Sequence, residues 1–114
     1  MASGCRKRIK LGTTYHVPVG ANRWQVRTVE SDNAALGGDS AACHAVRNEI
    51  VISEALARSE LLEVKLHEYV HAALESWGVD VGQGDEEKEE MIVNIIGIAL
   101  AQILRSRGIE GEDI

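Results

Sequence analysis

The run Leu61-Leu62-Glu63-Val64-Lys65-Leu66-His67-Glu68-Tyr69-Val70-His71-Ala72-Ala73-Leu74-Glu75-Ser76-Trp77 is strongly helical, with apolar residues at helical spacing. Inside it, His67-Glu68-x-x-His71 sets two imidazoles four residues apart, one above the other on one face of the helix. Both rings can then reach a single ion at the usual zinc–nitrogen distance of about 2.0–2.1 Å. Glu68 follows the first histidine and is placed beside the open coordination position. There a carboxylate can take a proton from a metal-bound water, whose pKa the ion lowers to about 7, and pass it to a leaving amine. This is the chemistry of a zinc hydrolase, and the helix that carries it must be supported by a core on one side and open on the other.

At ordinary residue frequencies the pattern arises by chance in roughly a few per thousand chains of this length. The competing account is a surface helix on which two histidines share a face and Glu68 is merely solvated. Length and composition set the frame for either account. With 114 residues the chain is read as one domain, 1–114, without a second lobe to form a deep specificity cleft. Apolar residues make up 45% and charged residues 26%, as in an ordinary globular protein, while phenylalanine is absent, so the core falls to Ile, Leu, Val and Ala.

A net charge of −6 argues against bulk electrostatic binding to nucleic acid. Arg6, Lys7, Arg8 and Lys10 make a basic start, and Met1 to Arg8 reads as a frayed, disordered terminus. Two cysteines, Cys5 and Cys43, no leader-like apolar run and no stretch of 18 apolar residues imply a reduced, cytoplasmic protein with no membrane span.

Along the chain, Ile9 to Val19 reads as extended, broken by Gly12 and Pro18. Trp24 to Glu30 alternates as a strand, with Trp24, Val26 and Thr28 on one face. Ser31 to Ala42 is small and polar with a turn at Gly37-Gly38-Asp39-Ser40, and it is expected to join two antiparallel strands. The second strand is Asn48-Glu49-Ile50-Val51-Ile52.

Ser59 is placed to cap the long helix, Glu60 to Trp77, and Gly78 to end it. Its buried stripe is expected to be Leu62, Leu66, Val70, Ala73 and Trp77. Asp85 caps a second helix, Glu86 to about Arg107, stopped by Gly108. Its body, Met91 to Leu104, is apolar around most of its circumference and is expected to be buried across the first helix and the sheet. The fold class is thus α+β: a small antiparallel sheet from the N-terminal half packed on two long helices, with the metal site between the helices.

A catalytic zinc usually has three protein ligands, so the histidines leave one vacancy. The acids opening the second helix supply the candidates Asp85, Glu86, Glu87, Glu89 and Glu90, although acids in a first turn also suit the helix dipole with no metal present. At 100° per residue Glu87 points with Asn94 and Arg105 to the polar side. Glu89 lies over Ile92, Val93, Ile96 and Leu100 on the apolar face, and Glu90 lies at its edge over Val93, Asn94, Gly97 and Ala101. A carboxylate on an apolar face needs a cation, which favours Glu89. Gly97 and Ala101 allow close helix approach, which favours Glu90.

The His67–His71 motif, followed by a short loop and a helix opening in glutamates, resembles the small single-domain zincins of the gluzincin type. That group includes phage-encoded metallopeptidases and ImmA/IrrE-like proteins. The layout before the motif is also similar, with a strand-rich N-terminal half ending in an Ile-Val-Ile strand. The resemblance covers about Asn48 to Arg105. It implies a minimal zincin-like fold, one Zn2+ per chain and a glutamate ligand three residues before a valine, as in Glu90-Met91-Ile92-Val93, which puts Glu90 first, Glu89 second and Glu86 third. No His-x-x-Gly-x-x-His extension follows, which disfavours the metzincin branch.

On this reading His67, His71 and Glu90 hold zinc, and Glu68 is general base and then general acid. Tyr15, His16, His44 and Arg47 are available as further donors to an oxyanion. The expected function is peptide-bond hydrolysis on a protein or peptide partner, with the phage resemblance implying action in a host cytoplasm. The alternative is a non-catalytic metal-binding or assembly module that keeps the zincin fold.

Overall fold

A computed structural model describes residues 12–114, so the expected frayed terminus Met1 to Arg8, and Cys5 with it, lie outside the described residues. Four strands come first: β1 (Thr14–Val19), β2 (Asn22–Val29), β3 (Ala41–His44) and β4 (Glu49–Ser53). Two helices follow, α1 (Leu61–Trp77) and α2 (Glu86–Ser106), which makes the fold α+β as expected. Residues 111–113 close the chain as a 3-10 turn against α1.

The sheet order is β1-β2-β4-β3. β1 and β2 form an antiparallel hairpin through Gly20, and β3 and β4 pair antiparallel with Ala41 opposite Ile52. β2 and β4 run parallel, Val26 beside Ile50 and Thr28 beside Ile52. The sheet is therefore mixed, which corrects the expectation of a purely antiparallel sheet. The reason lies in the segment after β2. It holds a 3-10 turn at Ala34–Leu36, capped by Asn33, and a full extra strand, so the chain reverses once more before β4 begins.

β4 is central and buried at all five positions, the environment that a short unbroken β-branched run suits. Pro18, which cannot donate to a ladder, sits on the edge strand β1.

One face of the sheet presents Trp24, Val26, Ile50 and Ile52 to α1, where Leu61 and Ala72 complete the main core. The Trp24 indole N–H donates to Ser76 Oγ at 3.2 Å and ties sheet to helix. The other face buries Val29 and Val51 under Leu36. On its far side α1 buries Leu62 and Leu66 against Ala101 of α2. The molecule is thus layered as sheet, α1, α2, with α1 sandwiched in the middle.

Two expectations fail for that reason. α2 forms an outer layer, buried only at Val93, Gly97 and Ala101, while most of its other apolar side chains stay exposed. Trp77, expected on the buried stripe of α1, is 70% exposed, while its neighbour Ser76 is the residue of that last turn that meets the sheet, through Trp24. Caps follow the same local logic. Asp85 accepts from the backbone N–H groups of Glu87 and Lys88, and Gly78 takes a left-handed conformation with φ +67°. Ser59 does not cap α1: the residues Arg58–Glu60 form a 3-10 turn that runs straight into the helix, and Glu60 precedes it without a side-chain cap. Among the described residues no helix is long and apolar enough to cross a membrane.

Candidate metal centre

The sandwiched position of α1 decides where its polar side chains can go. Leu61, Lys65, Glu68 and Ala72, spaced four, three and four apart, are buried. Lys65 is satisfied by donating to the Gly111 carbonyl at 2.7 Å, with its ammonium 5.0 Å from the Tyr15 ring centroid. His67 and His71 stand at the margin between sheet-facing and α2-facing sides, with side chains 20% and 19% exposed. Their ring centroids are 4.8 Å apart at an interplanar angle of 67°.

α2 brings the third group. Gly97 faces the backbone of His67 so closely that a Cβ there would lie 3.5 Å from its amide nitrogen, and this approach sets Glu90 opposite the histidines. Glu90 Oε1 accepts from His71 Nε2 at 2.5 Å, and Glu90 Oε2 lies 3.2 Å from His67 Nε2. One ligand atom from each of His67, His71 and Glu90 falls within 4.8 Å of the others, so this group could hold a metal ion. Two imidazole nitrogens and a carboxylate oxygen are a donor set that zinc takes in catalytic sites.

The remaining acids do not share that place. Glu89 Oε2 is 3.7 Å from His71 Nδ1, on the side of the ring away from Glu90, where it faces the nitrogen that the cluster leaves free. Glu86 is exposed at the helix start and does not line the cleft, and neither do Asp85 and Glu87. Of the three candidates ranked from sequence, Glu90 joins the histidines, Glu89 stands behind one of them, and Glu86 is elsewhere.

Asn94 is the residue whose role sequence reasoning missed, although its place on the face of Glu90 was read. Its Oδ1 accepts from His67 Nδ1–H at 3.1 Å, fixing the ring so that Nε2 points at Glu90. The signal was present: Asn94 is one of two polar residues, with Gln102, inside the apolar run Met91 to Leu104, and it stands four positions after Glu90 and so on the same face.

The cluster opens on a cleft of about 760 Å3 whose lining includes His67, Glu68, His71, Glu90, Cys43 and Asn94. Glu68 is 7% exposed. Burial pushes its carboxyl up from 4.5 to about 7; His71 pulls the other way, while Glu90 and Asp39 raise it further. Cys43 faces the same low-dielectric, acidic surroundings, and burial followed by the charges of Glu68 and Glu75 pushes its thiol up to about 12. A thiol held protonated in this way is a poor metal ligand or nucleophile.

The four side chains weighed as oxyanion donors do not line this cleft. Tyr15 shares a 3.1 Å hydrogen bond with Tyr69, whose own hydroxyl donates to the Ile114 carbonyl. His44 Nε2 is 2.7 Å from the Ala35 carbonyl, Arg47 lies beside Glu49, and His16 is on the exposed side of the edge strand β1. No family model, curated protein or solved structure matches the chain.

Proposed function

We propose that the cleft is the active site of a zinc-dependent peptidase of the small zincin kind, with His67, His71 and Glu90 holding the ion and Glu68 moving the proton. The observation that carries this reading is the pairing of two things in one cleft. A His/His/Glu donor set converges on one point, and a buried carboxyl that no ligand role requires sits beside it. When bound, zinc lowers the pKa of water to about 7 and polarises a carbonyl as a Lewis acid.

The chain's own residues supply the rest. Glu68, poised near neutral pH, takes a proton from water and returns it to the leaving amine, the balance of strengths that general acid–base catalysis favours. Asn94 and Glu89 face the outer nitrogens of His67 and His71 and hold the rings in the orientation the cluster needs.

The substrate class follows from the opposite wall. Consecutive residues from Asp39 to Cys43 line the cleft, so the backbone edge of β3, not one side-chain face, borders it. β3 is the last strand of the sheet, and its free edge can pair with an extended peptide. A polypeptide laid along β3 passes the ligands and Glu68. The test is cleavage of an unfolded protein substrate by zinc-loaded wild type beside Glu68→Gln. The reading expects the variant to keep its zinc and lose at least about a hundredfold in rate, as removal of a general base does. Equal rates would assign the cleavage to something other than this site.

A further inference from the structure

The cleft carries more negative charge than its chemistry uses. Among the described residues its lining holds five carboxylates and no Lys or Arg. Glu63 is held by Arg105, and Glu90 by the two histidines. A divalent ion in the cluster offsets the charges of Glu90 and of Glu68 beside it. Asp39 and Glu75 are left over: both are exposed, and neither side chain makes an ion pair or a hydrogen bond among the described residues. They bracket the cleft. The Trp24–Ser76 bond seats the last turn of α1 beside the sheet row Gln25, Glu49 and His44, where β3 ends, so Glu75 stands at that end. Asp39 stands just before Ala41, where β3 begins. A hollow of about 350 Å3 continues the cleft past Asp39 and Ser40, which line both, and adds the exposed Glu60.

Those charges act on whatever lies along β3. Glu75 follows His71 by four residues, about 6 Å along the helix, which an extended chain covers in about two residues. Its charge is felt inside the cleft: after burial, the charges of Glu68 and then Glu75 are what raise the Cys43 thiol. A separate observation shows that the opening is incomplete without an occupant. Glu68 is 7% exposed, has no hydrogen-bond partner among the described residues and faces the cleft, so its partner has to come from within it. The free strand edge selects an extended polypeptide, and the unpaired carboxylates select its charge. We infer that the cleft selects basic polypeptide, with a Lys or Arg set against Glu75 about two residues from the point that faces the metal cluster, and a second cation towards Asp39. The inference rests on the peptidase reading of the cleft given above and names the substrate that such a site takes.

Fluorescence anisotropy tests it, with short labelled peptides that differ only in carrying Lys, Gln or Glu on both sides of a central apolar pair. Glu68→Gln protein supplied with zinc holds them uncleaved. The Lys peptide is expected to bind about tenfold tighter than the Glu peptide at low salt, and the gap to close at high salt as exposed charges are screened. Glu75→Lys, added to that variant, is expected to remove most of the preference with unchanged circular dichroism, since a lysine suits the end of a helix. Asp39→Asn is expected to remove part of it. Equal binding of the Lys and Glu peptides, or tighter binding of the Glu peptide, overturns the inference, and a preference that survives Glu75→Lys overturns the role given to Glu75. Cleavage by zinc-loaded wild type is read separately. If the Lys peptide is bound selectively and nothing is cleaved, the selection stands and the peptidase reading falls; if Lys and Glu peptides are cleaved alike, that reading stands and the selection falls.

Discussion

Glu68 combines burial with a titration point near neutrality, and that combination has a cost that can be measured without any substrate. Its carboxyl takes a proton at about 7 in the folded chain, against 4.5 for an ordinary glutamate. Below 4.5 it is protonated whether the chain is folded or not. Between 4.5 and 7 the folded chain holds a proton that the unfolded chain has lost, so stability falls as pH rises through that window and then levels off. For this shift the loss is about 3 kcal/mol. In chelator-treated protein, urea denaturation is expected to show wild type losing this much relative to Glu68→Gln between those pH values. Parallel pH profiles for the two proteins would show that the Glu68 environment is not the desolvated one described.

Asn94 gives a second test at the same scale. If it holds His67 in register, Asn94→Ala weakens zinc binding about 10- to 100-fold in a chelator competition while leaving the helix pair folded. An unchanged affinity would reduce the Asn94 contact to an incidental one. The placing of His67 and His71 on one face with Glu68 beside them was legible from spacing alone, because helix geometry fixes the relation of neighbours four apart. Which acid joins the histidines was not, since Glu89 and Glu90 differ by one 100° step and the choice depends on how α2 is rotated against α1. Gly97, seated on the His67 backbone, sets that rotation.

Among elements, the two helices could be read to within a residue or so at most of their ends, because Asp85 and Gly78 act through local hydrogen bonding and backbone conformation. The sheet was read less well. β3, Ala41-Ala42-Cys43-His44, has small residues and no alternation, and only its pairing with the buried β4 makes it a strand. Missing it reversed the expected direction of β4 relative to β2. The apolar circumference of α2 was read as burial on all sides, whereas α1 shields it from the sheet.

The helix pairing itself is testable at Gly97. The space opposite it admits a methyl group at ordinary contact distance, so Gly97→Ala is expected to stabilise the chain by up to about 1 kcal/mol through helix propensity, with zinc affinity retained. Gly97→Leu is expected to push α2 off His67 and abolish binding. Zinc affinity equal in the two variants would mean that the close approach does not position Glu90.

At the scale of the whole molecule, the layering of sheet, α1 and α2 explains why one helix carries both the core and most of the candidate site. Being covered on both sides, α1 can bury Lys65 and Glu68 only with specific partners or functions. Lys65 has its partner in Gly111 of the closing turn, whose backbone lies so close that a Cβ there would meet Leu61 at 2.6 Å. Glu68 has no comparable anchor and faces the cleft. The same layering leaves His67 and His71 between two secondary elements, where α2 can supply a carboxylate from one side while β3 borders the opening from the other. The most direct measurement is metal content per chain by elemental analysis, for wild type beside His67→Ala, Glu90→Gln and Glu89→Gln. The account predicts about one zinc per chain in wild type, loss in His67→Ala and Glu90→Gln, and retention with weaker binding in Glu89→Gln. A wild-type chain that takes up no zinc when it is supplied at neutral pH would contradict the metal centre, and with it the peptidase reading.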